Sequence, residues 1–486
     1  MKKINQYTKG LLFAVLAAAG LTLTSCKDQP DKYEVADGTP SVDYIRCLST
    51  EITSSRDAAD MHYTNGELVE QASPQSTIAL IGSNLRSVVR VFFNDKEAVL
   101  NNSYITDNVL IVDVPKGVPV DVTDKIYLYN NGGSVTTVDF KVVIPAPSIN
   151  TMSCEYAKPG SVAKVIGEYI VDNANTPLEV YFRNAADQDV AADIIEVGAD
   201  NSYVKVRIPD DAAEGPITMT TLYGTSTSAF YYQDSRGTLF NFDTPYDGQG
   251  IVLGVNGTKA GHGWHSRDLF NDGTSISGNY LQLGDGSAKM DENGKWDDSN
   301  FAFEYWCGSW NTPQNITSGD GIALYNLQDF TKWENMDLKF EMCIPSSSAW
   351  KAGTMQIAFQ GIDQITFSGK PVTGYTNVAE PQAYIFNGEW AGDKGVTFNL
   401  GKFGRAMYRP WATSASGSYD TGGEWVTVRI PLTDFSYDRE SGAAEKKFSS
   451  YKDFASLTIF VVAGGVKGKE CTPIIKIDNI RVVPNK

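Results

Sequence analysis

Tryptophan is absent from the first 263 residues, although these make up more than half of the 486-residue chain. All nine tryptophans therefore lie in the remainder. An indole offers a flat apolar face and a single N–H donor, which suits it to stacking on the apolar face of a sugar ring. The distribution confines any such stacking surface to the C-terminal half and leaves the N-terminal half without one.

Positive charge is also scarce. The chain has 41 Lys and Arg against 58 Asp and Glu, a formal net charge of −17. An acidic surface repels phosphate backbones, which excludes nucleic acid as a partner, and it disfavours acidic polymers for the same reason. The composition favours a neutral polymer as ligand.

Metal and disulfide patterns are missing. After Cys26 the cysteines number five, an odd count at wide spacing, so they form neither a disulfide framework nor a zinc motif. We expect mostly buried thiols, with one bridge left open. His262 and His265 have no further ligand-type residues at metal spacing, so we expect neither a metal nor a cofactor. The five cysteines are Cys47, Cys154, Cys307, Cys343 and Cys471.

Long apolar runs are absent except at the N-terminus. Lys2, Lys3 and Lys9 precede an apolar run from Leu11 to Leu23, which is too short to span a membrane well and predicts a signal peptide over residues 1–25. The order Leu-Thr-Ser-Cys resembles a bacterial lipoprotein signal, which implies that Cys26 is lipidated; an ordinary signal peptide with an incidental cysteine is the alternative.

The tether that follows Cys26 is acidic. Residues 26–40 contain Asp28, Asp31 and Glu34. Acidic residues at this place resemble the surface-export signal of lipoproteins from Gram-negative glycan degraders. The resemblance implies an outer-membrane protein that is held by its lipid and faces the cell exterior.

A strand pattern occurs twice before residue 236. Residues 78–82, 89–93 and 109–115 alternate or run apolar as half-buried strands do, and residues 163–167, 179–184 and 203–209 repeat them in the same order. Two β-sandwiches, over 41–145 and 146–235, explain the rhythm.

The two repeats resemble immunoglobulin-like modules of the IPT/TIG type, through the strand-Gly turn, the Val-x-Phe strand and the strand that ends in proline. Neither repeat holds a tryptophan or a cluster of carboxylates, so we expect spacers. The junction Pro145-Ala146-Pro147 predicts a stiff hinge between them.

The third region, 236–486, predicts one larger β-sandwich. Residues 336–342, 424–432 and 474–483 read as strands, and no long helical pattern is present. The first and last strands, and the order Trp-x-x-x-x-Ile-Pro-Leu-x-x-Phe from Trp425 to Phe435, resemble jelly-roll carbohydrate-binding modules. The fold class expected for the chain is all-β, with tandem Ig-like sandwiches followed by a jelly roll.

As a whole the chain resembles the surface glycan-binding proteins of starch-utilisation-like systems, and within them the second binding protein of the β-glucan or xyloglucan type. The resemblance implies a non-catalytic polysaccharide-binding lipoprotein whose ligand is a β-glucan. It also implies a TonB-dependent transporter and a SusD-like protein as partners.

Five tryptophans are candidates for glycan binding. Trp306 and Trp310 are four residues apart, so a continuous strand would place both on one face, about 13 Å apart; burial of one of them in the core is the alternative. Trp350 and Trp411 lie in small polar loops, where we expect exposure. Trp264, between His262 and His265, is a weaker candidate.

The other tryptophans are assigned differently. Trp333 and Trp425 open strands and are expected to seal the edge of the sandwich. Trp296 and Trp390 remain undecided.

Two rival functions stay open. A glycoside hydrolase needs a pair of carboxylates across a cleft; Asp298, Glu304, Glu389 and Glu424 are candidates, but the compact Glu-x-Asp-x-x-Glu strand of laminarinase-type enzymes does not occur. A surface adhesin with a protein ligand is the second rival.

A structural cation is a further open point. Asp243 and Asp478, on the first and last strands of the third region, resemble calcium positions of some jelly-roll modules. Ordinary strand-end turns explain both residues equally well.

Overall fold

The computed structural model describes residues 34–49, 65–244, 259–260, 267–290, 299–305, 323–360, 404–438, 441–445 and 447–485. The chain divides into two compact units, Met1–Pro145 and Ala146–Lys486. The all-β prediction is confirmed: described helical segments are three-residue 3-10 turns. No helix in the described ranges has the length and hydrophobicity to cross a membrane. The 3-10 turns are Leu85–Ser87, Asn102–Tyr104, Ser299–Phe301, Leu324–Asn326, Trp333–Asn335, Ser346–Ser348, Pro410–Ala412, Leu432–Asp434 and Tyr451–Asp453.

The first unit is a β-sandwich. Its sheets have the strand orders β1-β3-β6 and β5-β4-β7-β8, with a short parallel pair of β2 and β9. Apolar side chains that alternate along these strands, such as Ile78, Leu80, Val91 and Phe93, fill its core. The strands are β1 (Ser41–Ser49), β2 (Gln71–Ala72), β3 (Thr77–Ser83), β4 (Val88–Phe93), β5 (Lys96–Ala98), β6 (Val109–Asp113), β7 (Lys125–Asn130), β8 (Val135–Asp139) and β9 (Lys141–Val142).

The second unit begins with another sandwich. Its sheets have the orders β10-β11-β15-β14 and β13-β12-β16-β17, around a separate core that includes Val165, Val180, Phe182 and Tyr232. The strands are β10 (Ser148–Met152), β11 (Val162–Glu168), β12 (Glu179–Arg183), β13 (Asp189–Ala191), β14 (Asp193–Val197), β15 (Tyr203–Arg207), β16 (Gly215–Thr221) and β17 (Gly224–Tyr232).

A glycine near the end of a strand is shared by the two sandwiches. Gly82 and Gly167 occupy the corresponding places on β3 and β11, each beside an irregular register with the preceding strand. A Cβ at Gly82 would lie 1.9 Å from the carbonyl oxygen of Ser41, and one at Gly167 would lie 1.8 Å from that of Ser148. Close backbone approach therefore requires glycine at both places, which explains why the strand-Gly pattern recurs.

The C-terminal sandwich packs a seven-stranded sheet against a four-stranded one. The larger sheet has the order β19-β20-β21-β28-β23-β26, with β18 also paired to β28, and the smaller sheet has the order β22-β27-β24-β25. The strands are β18 (Thr238–Phe240), β19 (Lys259–Ala260), β20 (Arg267–Phe270), β21 (Tyr280–Leu283), β22 (Ala302–Tyr305), β23 (Met336–Cys343), β24 (Thr354–Gln360), β25 (Ala406–Tyr408), β26 (Trp425–Pro431), β27 (Ser456–Val462) and β28 (Ile475–Pro484).

The core of this sandwich lies between the two sheets. Leu338, Phe340 and Met342 point into it from β23, and Ile357 and Ile459 point into it from the smaller sheet. The side chains on the opposite faces of β23, β27 and β28 are buried as well. These three strands are therefore covered on the face away from the core.

The described cysteines form no disulfide. Cys47, Cys154, Cys343 and Cys471 are buried as thiols, as expected for most of the cysteines. Burial raises the pKa of the Cys154 thiol well above its usual value, so this thiol stays protonated and unreactive.

Candidate functional site

The outer face of the seven-stranded sheet is occupied by the preceding sandwich. Glu155, from the segment after β10, enters this face and meets Lys339, Glu341 and Arg481 from β23 and β28, and all four side chains are at most 5% exposed. The backbone N–H of Glu155 also donates a hydrogen bond to Thr427 Oγ1 at 2.7 Å. We call these four charged residues the junction cluster.

Each charge in the junction cluster is paired. Arg481 donates to Glu155 Oε2 and to Glu341 Oε2, both at 2.7 Å, and Lys339 Nζ donates to Glu155 Oε1 at 2.6 Å. The Arg481 guanidinium also lies 4.8 Å from the centre of the Tyr156 ring. Burial disfavours the charged form of Arg481, but the Glu341 and Glu155 carboxylates outweigh it and raise the pKa of Arg481.

The cluster contains two positive and two negative side chains, so its net charge is zero. Their donors and acceptors form hydrogen bonds with one another. A glycan could reach neither the buried carboxylates nor the guanidinium. The junction cluster is thus a structural contact between two sandwiches, and it removes much of this face from any binding role.

Phe270, Tyr280 and Trp425 lie on the same outer face, away from the junction cluster. The Phe270 and Tyr280 rings stack with centres 5.8 Å apart, and Trp425 meets Tyr280 edge-on at 5.8 Å. Trp425 Nε1 donates to the carbonyl oxygen of Thr274 at 2.8 Å. The indole N–H is therefore used within the protein, in accordance with the predicted sealing role of Trp425.

The outer face of the four-stranded sheet has a mixed character. Ala302, Phe460 and Val462 form a small apolar cluster there, and Glu304 stands directly opposite Thr458. Arg405 donates to Gln356 Oε1 at 2.9 Å. These side chains are buried, so the open surface for a ligand lies at the ends and edges of the sheet.

One end of the four-stranded sheet carries an exposed tyrosine ring beside a half-buried one. β22 ends at Tyr305, opposite Leu457, and β24 ends at Gln360, opposite Ser456, so both strands end where β27 begins. The segment Leu324–Asn326 returns to this place, because Tyr325 N–H donates to the carbonyl oxygen of Phe454 at 3.0 Å. We call this region the aromatic end.

Tyr451 and Tyr325 are its principal side chains. Their rings meet edge to face at 5.7 Å and 90°, and Tyr451 is 41% exposed. Such a pair offers an open ring face beside a phenol group, a combination that suits contact with a sugar.

The turn that presents Tyr451 is held rigidly. Asp453 is buried and accepts from the backbone N–H groups of Ser449, at 2.8 Å, and Ser450, at 3.0 Å. The Ser450 hydroxyl accepts in return from Lys452 N–H at 3.3 Å. This capping box fixes the backbone of Tyr451 at the start of β27.

Neither Tyr325 nor Tyr451 is among the binding residues predicted from the sequence. Tyr451 lies in a polar turn, Ser449-Ser450-Tyr451-Lys452-Asp453, that has capping residues at the correct spacing. This pattern could have predicted an exposed tyrosine. No comparable signal marks Tyr325, which is placed by backbone pairing with a distant segment.

Two candidate tryptophans are buried, so the expected exposure of Trp350 and Trp411 is wrong. Trp350 is 0% exposed and Trp411 is 9% exposed, and both belong to the core of the C-terminal sandwich. Trp350 Nε1 donates to the carbonyl oxygen of Ala352 at 2.8 Å, and Trp411 Nε1 donates to that of Gly353 at 2.9 Å. In this structure neither indole can serve as a stacking platform.

Trp350 is buried because its backbone pairs with a segment that is distant in the sequence. Trp350 exchanges backbone hydrogen bonds with Tyr419, at 2.8 and 2.9 Å, and this bridge turns the indole inward although its neighbours are polar. Both indoles lie beside the start of β24, whereas the aromatic end lies where β24 ends.

The remaining candidates lie outside the described residues. These are Trp306, Trp310 and Trp264, together with the undecided Trp296 and Trp390. Trp333 packs against Phe448 and Phe454, with ring centres 5.8 and 6.2 Å apart, which matches its expected sealing role.

The carboxylates considered for catalysis do not form a described pair. Glu304 is buried on β22 of the smaller sheet, whereas Glu424 is exposed directly before β26 of the larger sheet. Asp298 and Glu389 lie outside the described residues, as do His262 and His265. Among the residues that the structure describes, no three His, Cys, Asp or Glu side chains group as metal ligands.

Asp243 and Asp478 both accept hydrogen bonds from the loop between β20 and β21. Asp243 Oδ1 accepts from Asn279 N–H at 2.6 Å, and Asp478 Oδ2 accepts from the Ser277 hydroxyl at 2.9 Å. Burial raises the pKa of Asp478 to about 9. These hydrogen bonds hold the loop between β20 and β21 to Asp243 and Asp478.

Trp350 tests the distinction between core and platform. Trp350→Ala should lower the free energy of unfolding by about 3–5 kcal/mol, because it opens a cavity in a packed core. Urea unfolding followed by circular dichroism measures the change. Tyr451→Ala, at an exposed ring, is the matched control and should change stability by less than about 1 kcal/mol. Equal stability of Trp350→Ala and the parent protein would contradict the assignment.

Comparison with known proteins identifies the C-terminal region. The family model described as the surface glycan-binding protein B xyloglucan-binding domain matches residues 232–484, which include the whole C-terminal sandwich. Among solved structures, the surface glycan-binding protein PbSGBP-B from Prevotella bryantii is 40% identical, with a TM-score of 0.72, and the match covers 93% of this chain and 100% of that one.

A curated protein from Bacteroides ovatus, an IPT/TIG domain-containing protein, is 29% identical over 175 residues. The match covers 34% of this chain and about a third, 32%, of that protein's length. The family match over more than half of the chain, together with the full-length structural likeness, establishes the family. The chain belongs to the surface glycan-binding protein B family.

Proposed function

We propose that this protein is a non-catalytic cell-surface receptor that captures a neutral β-glucan, with xyloglucan or mixed-linkage β-glucan as the favoured ligand. The observation that carries the proposal is the match of residues 232–484 to a domain family described as xyloglucan-binding. All nine tryptophans lie inside this region. The acidic charge of −17 supports a neutral polymer.

The proposed contact surface is the aromatic end of the four-stranded sheet. The junction cluster takes up the part of the larger sheet's outer face that β23 and β28 form, and Trp350 and Trp411 belong to the core. Tyr451 is exposed at the aromatic end. Trp306 and Trp310 come after the last residue of β22 in the amino-acid sequence. These three side chains are the proposed stacking residues, and Trp264 remains a weaker candidate.

Several weak contacts suffice for the proposed role. Stacking one glucosyl face buries about 100 Å² of apolar surface, which is worth about 2 kcal/mol. Two or three such contacts imply affinities of roughly micromolar to millimolar after the cost of association. Many copies on one cell would hold a polymer by avidity.

The proposed location is the outer face of the outer membrane, with a lipid on Cys26 as the anchor. The tandem sandwiches would then act as spacers that hold the glycan-binding domain away from the membrane. A TonB-dependent transporter and a SusD-like protein are the proposed partners, which would receive the captured polymer.

Glycan capture is tested by affinity gel electrophoresis of the protein from Lys27 onward. The panel is xyloglucan, mixed-linkage β-glucan, laminarin, starch, xylan and galactomannan. We expect retardation by xyloglucan or mixed-linkage β-glucan, loss of it in Trp306→Ala with Trp310→Ala, and partial loss in Tyr451→Ala. Tyr104→Ala, which removes an exposed ring from the first unit, should bind as the parent does.

Migration unchanged by every polymer would refute glycan capture and favour an adhesin with a protein ligand. Retardation that persists in both the tryptophan and the Tyr451 variants would refute the aromatic end as the contact surface.

The anchor is tested separately in cells. Cys26→Ala should move the protein from the membrane fraction to the soluble fraction and remove it from the cell surface, because a chain without lipid has no anchor. Surface labelling and fractionation measure this. A Cys26→Ala protein that stays at the surface would contradict lipid anchoring, whereas Cys47→Ala, at a buried thiol, should leave the location unchanged.

A further inference from the structure

A pocket of about 310 Å³ opens at one side of the C-terminal sandwich, between the edge strand β25 of the smaller sheet and the edge strand β26 of the larger sheet. Met407, Arg429, Asp434, Ser436 and Tyr437 are among its lining residues. We call it the edge pocket. Its volume is at the lower end of the range for ligand sites, which suits one or two sugar residues.

Tyr437 gives the edge pocket an open aromatic ring. It is 40% exposed, and its backbone is fixed by hydrogen bonds with Arg405 in both directions, at 2.9 and 3.2 Å. Ala444 N–H also donates to the carbonyl oxygen of the neighbouring Ser436 at 2.9 Å. A rigid backbone with an exposed ring lowers the ordering cost of stacking on a ligand.

Polar groups stand beside the ring. Arg429 donates its Nε–H to Asp337, and its side chain remains 48% exposed, so the guanidinium has further donors available at the surface. Asp434 is exposed, and its carboxylate can accept two hydrogen bonds. Neighbouring hydroxyl groups of a pyranose are both donors and acceptors, and this pair of side chains serves both roles.

The lining argues for binding rather than hydrolysis. Among the described residues that line the edge pocket, Asp434 is the one carboxylate. The nearby Asp337 is engaged by Arg429 and by Asn485, whose amide donates at 3.2 Å. Glycoside hydrolysis requires two carboxyl groups that face each other across the sugar.

We infer that the edge pocket is a subsite for one neutral pyranose residue of the bound polysaccharide. Tyr437 supplies the stacking face, and Arg429 and Asp434 supply the hydrogen bonds to ring hydroxyls. The inference rests on the proposed glycan-binding function. It adds a contact on a side of the domain where none of the described tryptophans has an exposed ring.

Isothermal titration calorimetry with xyloglucan oligosaccharides and mixed-linkage β-glucan oligosaccharides tests the subsite. Tyr437→Ala should raise the Kd for the bound oligosaccharide about tenfold, because it removes one stacked sugar face. Tyr437→Phe, which keeps the ring, should stay within about threefold of the parent. Asp434→Asn should weaken binding by about threefold, since a neutral acceptor forms weaker hydrogen bonds.

Two controls accompany these variants. Tyr104→Ala removes an exposed tyrosine from the first unit and should leave the Kd unchanged. The thermal unfolding midpoint of each variant should equal that of the parent, because Tyr437 and Asp434 are exposed.

The outcomes separate the two proposals. If the parent protein binds the oligosaccharides and the variants Tyr437→Ala and Asp434→Asn bind them equally well, the edge subsite is refuted and glycan capture still stands. A parent protein that binds neither oligosaccharide series, and is retarded by no polymer in the gel panel, overturns both.

Discussion

The junction cluster of Glu155, Lys339, Glu341 and Arg481 sets the arrangement of the second unit. Charged groups lose several kcal/mol each when they leave water, and only close pairing offsets that loss. Here Arg481 bridges two carboxylates at 2.7 Å, and Lys339 meets the same Glu155 at 2.6 Å. Because Glu155 belongs to the Ig-like sandwich, the C-terminal sandwich completes its charge pairing only with its neighbour in place.

This constraint decides where a ligand can bind. The larger sheet turns part of its outer face to the Ig-like sandwich, and Tyr451, at one end of the smaller sheet, and Tyr437, at its edge, are exposed rings outside this contact. The pairing also joins two sandwiches in one compact unit. The same pairing fixes the orientation of the C-terminal sandwich relative to the adjoining Ig-like sandwich.

Local patterns in the sequence predicted the strands well, since a period of two is visible within a few residues. The alternation at 336–342 corresponds to β23, and the recurring strand-Gly pattern corresponds to Gly82 and Gly167. Contacts between distant residues were not predictable. The burial of Trp350 depends on its bridge to Tyr419, 69 residues later, and Arg481 pairs with Glu155, which is 326 positions away in the chain. A short stretch of sequence contains only one partner of each contact, so neither contact can be predicted from it.

Hydrogen–deuterium exchange of the Glu155→Ala variant tests the role of the junction cluster most directly. Loss of Glu155 removes the carboxylate that pairs with Lys339 and leaves Arg481 paired with Glu341 alone. Strands β28 and β23 should therefore exchange faster, and the free energy of unfolding should fall by about 3–5 kcal/mol. Glu196→Ala, which breaks an exposed pair with Lys205, should cost less than about 1 kcal/mol. Unchanged protection of residues 336–343 and 475–484 in Glu155→Ala would contradict the account.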